Sequence, residues 1–502
     1  MKNKRSKWSY AIGCTGRDMC YTLVSMFLMI YVQYTGLFNE DQYAVFIGII
    51  FACRVWDAVN DPMMGTIISN TKSRFGKYRP WLIIGCLTNV AFLILMFTLR
   101  LPGDGWANVI VLGILYLLWE TTFTMNDVSY WSLLPALSDD KVERDNLTSM
   151  VAVFASVGAF TTGGLVPMFT TGDAVSGYSI FAIVFAAIFV ICQLLVFFFT
   201  RDNKYNKFRL SKEEMEQEPK EETVSLKDMI KILFRNKQLL IMAIVVLLYT
   251  TASGFLTAFG QNFFYFKFGY DGNLVFIFTV IYAAGTLVSQ ALFPFLTKKF
   301  NRKQIVNTSI LITILGYASF FIIANLPINP DLCFILLCVF GVLVFGGQGV
   351  FYLAMLVMLT NTIEYDEWQT GERNEAVTFS VRPFMVKLSS AIQTVLVSGS
   401  LLVFGLYQIT EKIGELEVLK HTDPNVYTDS KVFEDASTIL STASDGQLFG
   451  LSVAMTIIPI LMFIATYFII KKKYIIDEDL YAKMVEEIAN RKDTETNKKE
   501  II

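Results

Sequence analysis

Long apolar runs alternate with short charged segments along this chain. "VFIGIIFAC", "WLIIGCLTNVAFLILMF", "IFAIVFAAIFVICQLLVFFF", "LLIMAIVVLLY", "ILITILGYASFFIIA", "LCFILLCVFGVLVF" and "MTIIPILMFIATYFII" each approach or reach the roughly 20 residues that a membrane-spanning helix needs. Together with weaker runs they predict about twelve spans: 10–37, 43–67, 80–99, 107–134, 148–171, 178–200, 237–266, 273–297, 303–325, 332–360, 376–408 and 446–470. Lipid offers a backbone no water to bond, so these spans are expected to be helices, and the chain reads as an all-α membrane protein.

The polar segments set the organisation. The longest between spans, beginning "RDNKYNKFRLSKEEMEQEPKEE", divides the spans six and six. The expected domains are a first six-helix bundle (1–200), a linker (201–237), a second bundle (238–472) and a polar tail (473–502). "TKSRFGKYR" follows the second span and "TKKFNRK" the eighth, a faint repeat of the kind found in transporters with duplicated halves. Lys and Arg concentrate in "KNKRSK", "KSRFGKYR", "DDKVERD", 201–237, "TKKFNRK", "EWQTGERNE" and "KKKY", all on one side if spans alternate. The positive-inside bias then places both termini in the cytoplasm, with the protein in the plasma (inner) membrane.

Composition agrees with this reading. Of 502 residues, 54% are hydrophobic, 43 are Phe and only 17% are charged, against about 25% charged in soluble domains. The net charge of −2 says nothing about partners, and no nucleic-acid partner is expected. The basic start "MKNKRSKWSYAIGC" lacks a small-residue cleavage site, so no cleaved signal is expected. Seven Cys in mostly apolar surroundings, with no CxxC pair, read as small buried hydrophobes. One His, at 421, all but excludes histidine chemistry. There is no GxxxxGK[ST] phosphate loop, and the chain is not expected to be an enzyme or to hold a cofactor.

The candidate chemistry lies where charge interrupts the oil. Arg17, Asp18, Arg54, Asp57, Asp61, Glu120, Asp127, Arg382 and Lys387 all fall inside predicted spans. Each costs about 2.5–3.5 kcal/mol to insert, which makes it a functional candidate. Snorkelling toward a helix end accounts for Arg17 and Glu120 better than for the acids of the second span. There, in "FACRVWDAVNDPMMG", Asp57, Asn60 and Asp61 share a helix face with Arg54 close by. Two carboxylates about 6 Å apart repel by roughly 3 kcal/mol at an effective dielectric of about 20. They stay ionised only beside a cation; otherwise one takes a proton. Two carboxylates and an amide suit a hard cation such as Na⁺, and carboxylates alone suffice for a proton. Pro62 and Gly65 suggest a helix bent, unwound or closely packed there. In the fourth span Thr124, Asp127 and Trp131 share a face. A carboxylate that accepts hydroxyls beside an indole that stacks on C–H is what a sugar site needs.

"WDAVNDPMMGTIISNTKSRFGKYRPW" resembles the signature of the glycoside–pentoside–hexuronide:cation symporters, a branch of the major facilitator superfamily. "GRDMCYTL", "TMNDVSYWSLLP", "DDKVERDNLTS" and "RPFMVKLSSA" extend the resemblance over both halves. It implies a cation site of Asp57, Asn60, Asp61 and Thr124, and a sugar-contacting group of Asp18, Asp127 and Trp131. It gives Arg54, Lys387 and Arg144 coupling or gating roles. It also implies twelve helices in two bundles and symport of a glycoside with Na⁺, Li⁺ or H⁺. Where the family pattern has a sugar-contacting basic residue in the fifth span this chain has Ala152, and where it has a threonine before the eleventh-span lysine this chain has Pro383. Asp366, Glu367 and Glu372 against Arg74, Lys77 and Arg144 form an expected cytoplasmic ionic lock. A lysolipid carrier on the same fold, a transferase acting on lipid-linked sugars and a transport-dead sugar sensor are the alternatives. The transferase would need catalytic spacing in the external segment 409–445, which shows none.

Overall fold

The computed structural model describes residues 4–103, 105–137, 141–200, 211–213 and 226–500, and every regular element among them is helical. The first six helices are α1 (Lys4–Tyr34), α2 (Glu40–Ser69), α3 (Arg79–Thr98), α4 (Trp106–Leu137), α5 (Lys141–Thr170) and α6 (Ala174–Phe199). A short α7 (Leu226–Arg235) leads into α8 (Lys237–Ser253), α9 (Phe255–Phe268), α10 (Gly272–Lys299), α11 (Arg302–Ala324), α12 (Pro330–Thr370) and α13 (Glu375–Val403). The chain closes with α14 (Tyr407–Thr422), α15 (Asp429–Leu440), α16 (Asp445–Lys473) and α17 (Glu478–Glu500). Most of the expected linker, and the first two residues of "DDKVERD", lie outside the described residues.

Among the described residues, eleven helical spans are long and apolar enough to cross a membrane, with α8 and α9 counted as one span that breaks at Gly254. The twelfth is α1. Its 31 residues suffice in length, but a basic first turn and the Arg17–Asp18 pair lower its apolarity. The structure departs from expectation in three places. The helix α12 runs past 360 to Thr370, where Gly371 at φ +76° supplies the left-handed cap. The segment 409–445 is largely helical, because Ile409, Ile413 and Glu417, then Val432, Ala436 and Leu440, recur every four residues and bury one face. Finally α2 is neither unwound at Pro62 nor closely packed at Gly65, where an added Cβ meets nothing within 4 Å.

The chain forms two compact units. One holds Met1–Thr223, Gly260–Thr279 and Thr394–Leu451; the other holds Val224–Phe259, Val280–Gln393 and Ser452–Ile502. In the first, α1 meets its neighbours through glycine. A Cβ on Gly16 would lie 2.6 Å from Phe189 Cα of α6, and one on Gly158 of α5 would lie 2.5 Å from Thr15 O. Buried asparagines register α3 against α4: Asn89 donates to Trp119 O at 2.9 Å, and Asn126 donates to Leu82 O at 2.7 Å. Gly85 leaves room for this, since a Cβ there would lie 2.7 Å from the Asn126 nitrogen.

The same unit carries α14 stitched onto the ends of α1, α2 and α6. Tyr407 donates to Phe38 O and stacks on Tyr43 at 4.1 Å. The buried Glu417 carboxylate accepts from the Gly172 and Ala174 backbone N–H groups at 3.0 and 2.8 Å and from the Tyr270 hydroxyl at 2.7 Å. It thereby satisfies free donors at the start of α6. Burial pushes this carboxyl up to about 7, against the opposing pull of Tyr270, the Ala174 N–H and Lys420; Asp173 adds a smaller upward push.

In the second unit α11 and α12 pack through Gly316 and Gly347, Tyr249 donates to Gln348 O, and Thr251 donates to Ser389. The acids of the expected cytoplasmic lock are engaged inside this unit. Arg235 pairs with Asp366 at 3.2 Å and Glu372 at 2.9 Å, and Arg373 pairs with Glu367 at 2.8 Å. The lock basic residues Arg74, Lys77 and Arg144 belong to the first unit; the sequence reading overlooked Arg235 and Arg373 because they sit beside the acids, not in the opposing loops.

Two outcomes are expected. Gly16→Ala forces α1 and α6 apart and destabilises by about 1–3 kcal/mol, whereas Gly65→Ala is neutral or stabilising by up to about 1 kcal/mol; thermal midpoints of the purified protein separate them. Glu417 binds its proton more tightly folded than unfolded, so its contribution to stability is full in acid and is lost as pH rises through about 7. The thermal midpoint of the Glu417→Gln protein, taken relative to the native one, should therefore rise between about pH 5.5 and about pH 8.

Candidate functional site

The residues singled out in the first unit fall into two groups joined by α4. The first lies between α2 and α4. Thr124 donates its hydroxyl to Asp57 Oδ1 at 2.9 Å, and both are buried. Asn60, one turn on, is 6% exposed, and its Nδ2 has no hydrogen-bond partner. A buried amide with unspent capacity beside a carboxylate is a vacancy in the polar accounting. Because the amide's two ends are interchangeable by rotation, it can turn its oxygen toward a cation. Asp61 is half-buried on the same face. Asp57, Asn60, Asp61 and Thr124 together offer only oxygen donors of the hard type that alkali cations prefer.

The second group lies between α1 and α4. Arg17 is 3% exposed and does not snorkel. Its guanidinium pairs with Asp18 at 2.9 Å and with Asp127 at 3.0 Å, and lies 4.7 Å from the Tyr130 ring and 5.3 Å from the Trp131 ring. One arginine thus gathers all three expected sugar-contacting residues. It was legible in principle: two acids in an apolar region need a cation, and Arg17 adjoins one of them in sequence. Tyr10 and Tyr130 hold the frame. Their rings stack at 4.4 Å, Tyr10 donates to Tyr130 O at 2.6 Å, and Tyr130 donates in return to Tyr10 O. Trp131 stays 38% exposed, so its ring is available for stacking.

Thr124 serves the first group while Asp127 and Trp131, three and seven residues on, serve the second. A shift of α4 by a fraction of a turn therefore alters both. Glu120, the other acid assigned to snorkelling, is buried at 5% exposure and accepts from the Tyr116 hydroxyl. Arg54 is buried close to Tyr116 and Glu120.

The remaining residues are not gathered here. Lys387 lies half-buried on α13 in the second unit, one turn from Arg382, which bonds Tyr352. Arg144 is half-buried near the start of α5, next to Glu143, which pairs with Lys7 at 2.9 Å. Ala152 and Pro383 are both exposed. All seven cysteines are buried free thiols.

Known proteins with similar sequences are sugar carriers. The lactose permease of Lactobacillus delbrueckii subsp. bulgaricus is 28% identical over 97% of this chain and 73% of its own length. The raffinose carrier protein of Pediococcus pentosaceus is 30% identical over 79% of this chain. The chain spans 62% of the length of that carrier. Among solved structures, the inward-facing unoccupied bacterial homolog of the human lysosomal transporter Spinster superposes with a TM-score of 0.61 at 13% identity, covering 95% of this chain and 99% of that one; this shows the shared fold. Residues 9–478 match the family of MFS/sugar transport proteins, and with an all-helical fold of the major facilitator type the chain belongs to that family of membrane transporters.

Proposed function

We propose that the chain is a secondary transporter that carries a glycoside or oligosaccharide across the plasma membrane together with Na⁺, Li⁺ or H⁺. The observation that carries this reading is the double use of α4: Thr124 bonds the cation-site acid Asp57, and Asp127 one turn later joins Asp18 through Arg17. The names of the lactose and raffinose carriers support a di- or trisaccharide as substrate.

In this mechanism a monovalent cation enters between Asp57 and Asp61, with the Asn60 amide and Thr124 hydroxyl completing its oxygen shell. Cancelling the repulsion of the two carboxylates draws α2 and α4 into one arrangement. The same step fixes Asp127 and Trp131 for sugar. The sugar's hydroxyls then donate to the carboxylate capacity that Arg17, shared between Asp18 and Asp127, leaves over, and its C–H face covers the exposed indole. Each ligand tightens the other by the same factor, which is the thermodynamic content of coupling. Six-helix halves rocking about the occupied site, with both termini in the cytoplasm, complete the cycle. Lys387 and Arg144 act as coupling and gating residues in this scheme.

Uptake by right-side-out vesicles tests the reading, with radiolabelled lactose and raffinose, with and without an inward Na⁺ or proton gradient. Asp57→Asn should abolish gradient-driven accumulation. Retention of accumulation would remove the cation assignment. Trp131→Ala should raise the half-saturating sugar concentration about tenfold, the loss of one stacked face, while the cation requirement stays. Arg17→Gln leaves two acids without their shared partner and should cost sugar affinity more than Arg17→Lys; equal losses would mean that Arg17 merely fills space.

A further inference from the structure

A cleft of about 560 Å³ lies between α10, α11 and α12, wholly within the second unit and apart from the groups on α1, α2 and α4. Its walls are apolar and open sideways: Val288 and Leu292 of α10 and Val342 of α12 line it and stay 58%, 49% and 47% exposed. Its two buried hydroxyls, Ser289 and Ser309, donate to Thr286 O and Val306 O of their own helices at 2.8 and 3.1 Å, so neither asks for water. On α12 the cleft floor is Gly346, where an added Cβ meets nothing within 4 Å. Among the described residues α10 is also the least buried of the eleven apolar spans. The lining follows α10 from Ala284 to Leu296, about 18 Å of helix. That length matches one leaflet, about half of a hydrocarbon core roughly 30 Å thick. One end of the cleft is basic. Phe300, which lines it, lies 5.7 Å from Lys299 Nζ, and "TKKFNRK" adds Lys298 and Lys303 beside it. Glu478 accepts the Arg302 backbone N–H there at 2.6 Å, but among the described residues no carboxylate pairs with the three lysines.

We propose that this cleft is a binding site for one anionic glycerophospholipid, with an acyl chain seated between α10, α11 and α12 and the phosphate among Lys298, Lys299 and Lys303. Two features fix the occupant. An apolar cleft that faces hydrocarbon and holds no unspent hydroxyl stays dry and takes an apolar chain. A cluster of lysines where such a span leaves the membrane draws a negatively charged head, and a zwitterionic head brings its own ammonium against them. A second copy of the chain fits less well: a two-fold contact along the cleft would set the same lysines of both copies side by side. The lipid fills the space that the small residue Gly346 leaves open, and so completes the packing of a span that its own unit leaves largely uncovered. Specificity is divided between the two ends: the cleft selects for a chain, the lysines for the charge above it.

The test uses the full-length protein, purified in detergent and stripped of lipid. It is titrated with dioleoylphosphatidylglycerol or with dioleoylphosphatidylcholine, which carries the same chains under a zwitterionic head. Native mass spectrometry counts the lipids bound, and the thermal midpoint follows saturation. One phosphatidylglycerol should bind about tenfold or more tighter than phosphatidylcholine. The triple variant Lys298→Gln/Lys299→Gln/Lys303→Gln should weaken phosphatidylglycerol by roughly fivefold per lysine, about a hundredfold in all, and erase its advantage. Gly346→Phe puts a ring into the cleft and should weaken both lipids about tenfold, the loss of about two buried methylenes, with the lipid-free midpoint unchanged. If that variant does not fold, Val288→Trp blocks the cleft from the α10 wall on a residue already more than half exposed. Inorganic phosphate alone should leave the midpoint where it is; a rise equal to that given by the lipid would mean a free-anion site and overturn the proposal. Equal binding of the two lipids by the native protein, or binding indifferent to the three lysines, overturns the assignment of the head. Binding that survives both blocking variants overturns the assignment of the chain, and a dimer that those variants dissociate gives the cleft to a second copy.

Discussion

An ionised group in oil must have its opposite beside it, and this one requirement organises the first unit. Arg17 can be 3% exposed because Asp18 and Asp127 flank it. Arg54 can be buried because Glu120 lies close by. Arg17 converts a prohibitive insertion cost into local pairs whose geometry is specific. What differs between the two is the remainder. At Arg17 one cation serves two acids, so an excess of negative charge stays available for hydroxyl donors. At the second span Asp57 and Asp61 stand one turn apart, and Asp57 accepts a hydrogen bond from Thr124.

Such pairs are useful only on helices that hold their positions. Here the rigidity comes from small contacts in place of large ones. Glycines let α1 approach α5 and α6 to backbone distance, and the buried asparagines of α3 and α4 tie the two helices by directed bonds that no lipid can replace. The tyrosine pair between α1 and α4 adds a reciprocal clasp beside Arg17. Polar contacts of this sort retain their direction in a medium where apolar surfaces have no preference for each other over lipid tails. They explain why a helix as apolar as α4 keeps the register on which both groups depend.

Eleven of the twelve expected spans and the helical class were legible because lipid imposes one rule on every spanning segment, and apolar runs of the right length answer it. The helix faces were equally legible: Asp127 with Trp131, and Asp57 with Asn60 and Asp61, follow from spacing, while Thr124 beside Asp57 came only with the family signature. What escaped was pairing across helices. Arg17 was placed near water because it was considered on its own helix, whereas one of its two acids, Asp127, lies on a different one. The lock acids also have partners within their own unit that the sequence did not single out, and Arg235 stands on a short helix that no hydropathy window reveals. The helices at 407–440 were missed because their apolar stripe is only one face wide and carries charges on the rest.

Gly36 and Gly414 stand almost four hundred residues apart, yet a Cβ on Gly414 would lie 2.4 Å from the Gly36 nitrogen. Gly36 itself takes a left-handed φ of +58°, so neither residue has an alternative with a side chain. The two ends of the polypeptide are thus bound to each other as a matched lock and key of bare backbone. Hybrids that join the opening helices of one carrier to the closing helices of another inherit this obligation: the junction in sequence is free to fall almost anywhere, but the two parental chains must agree on an atom-sized gap far from the splice.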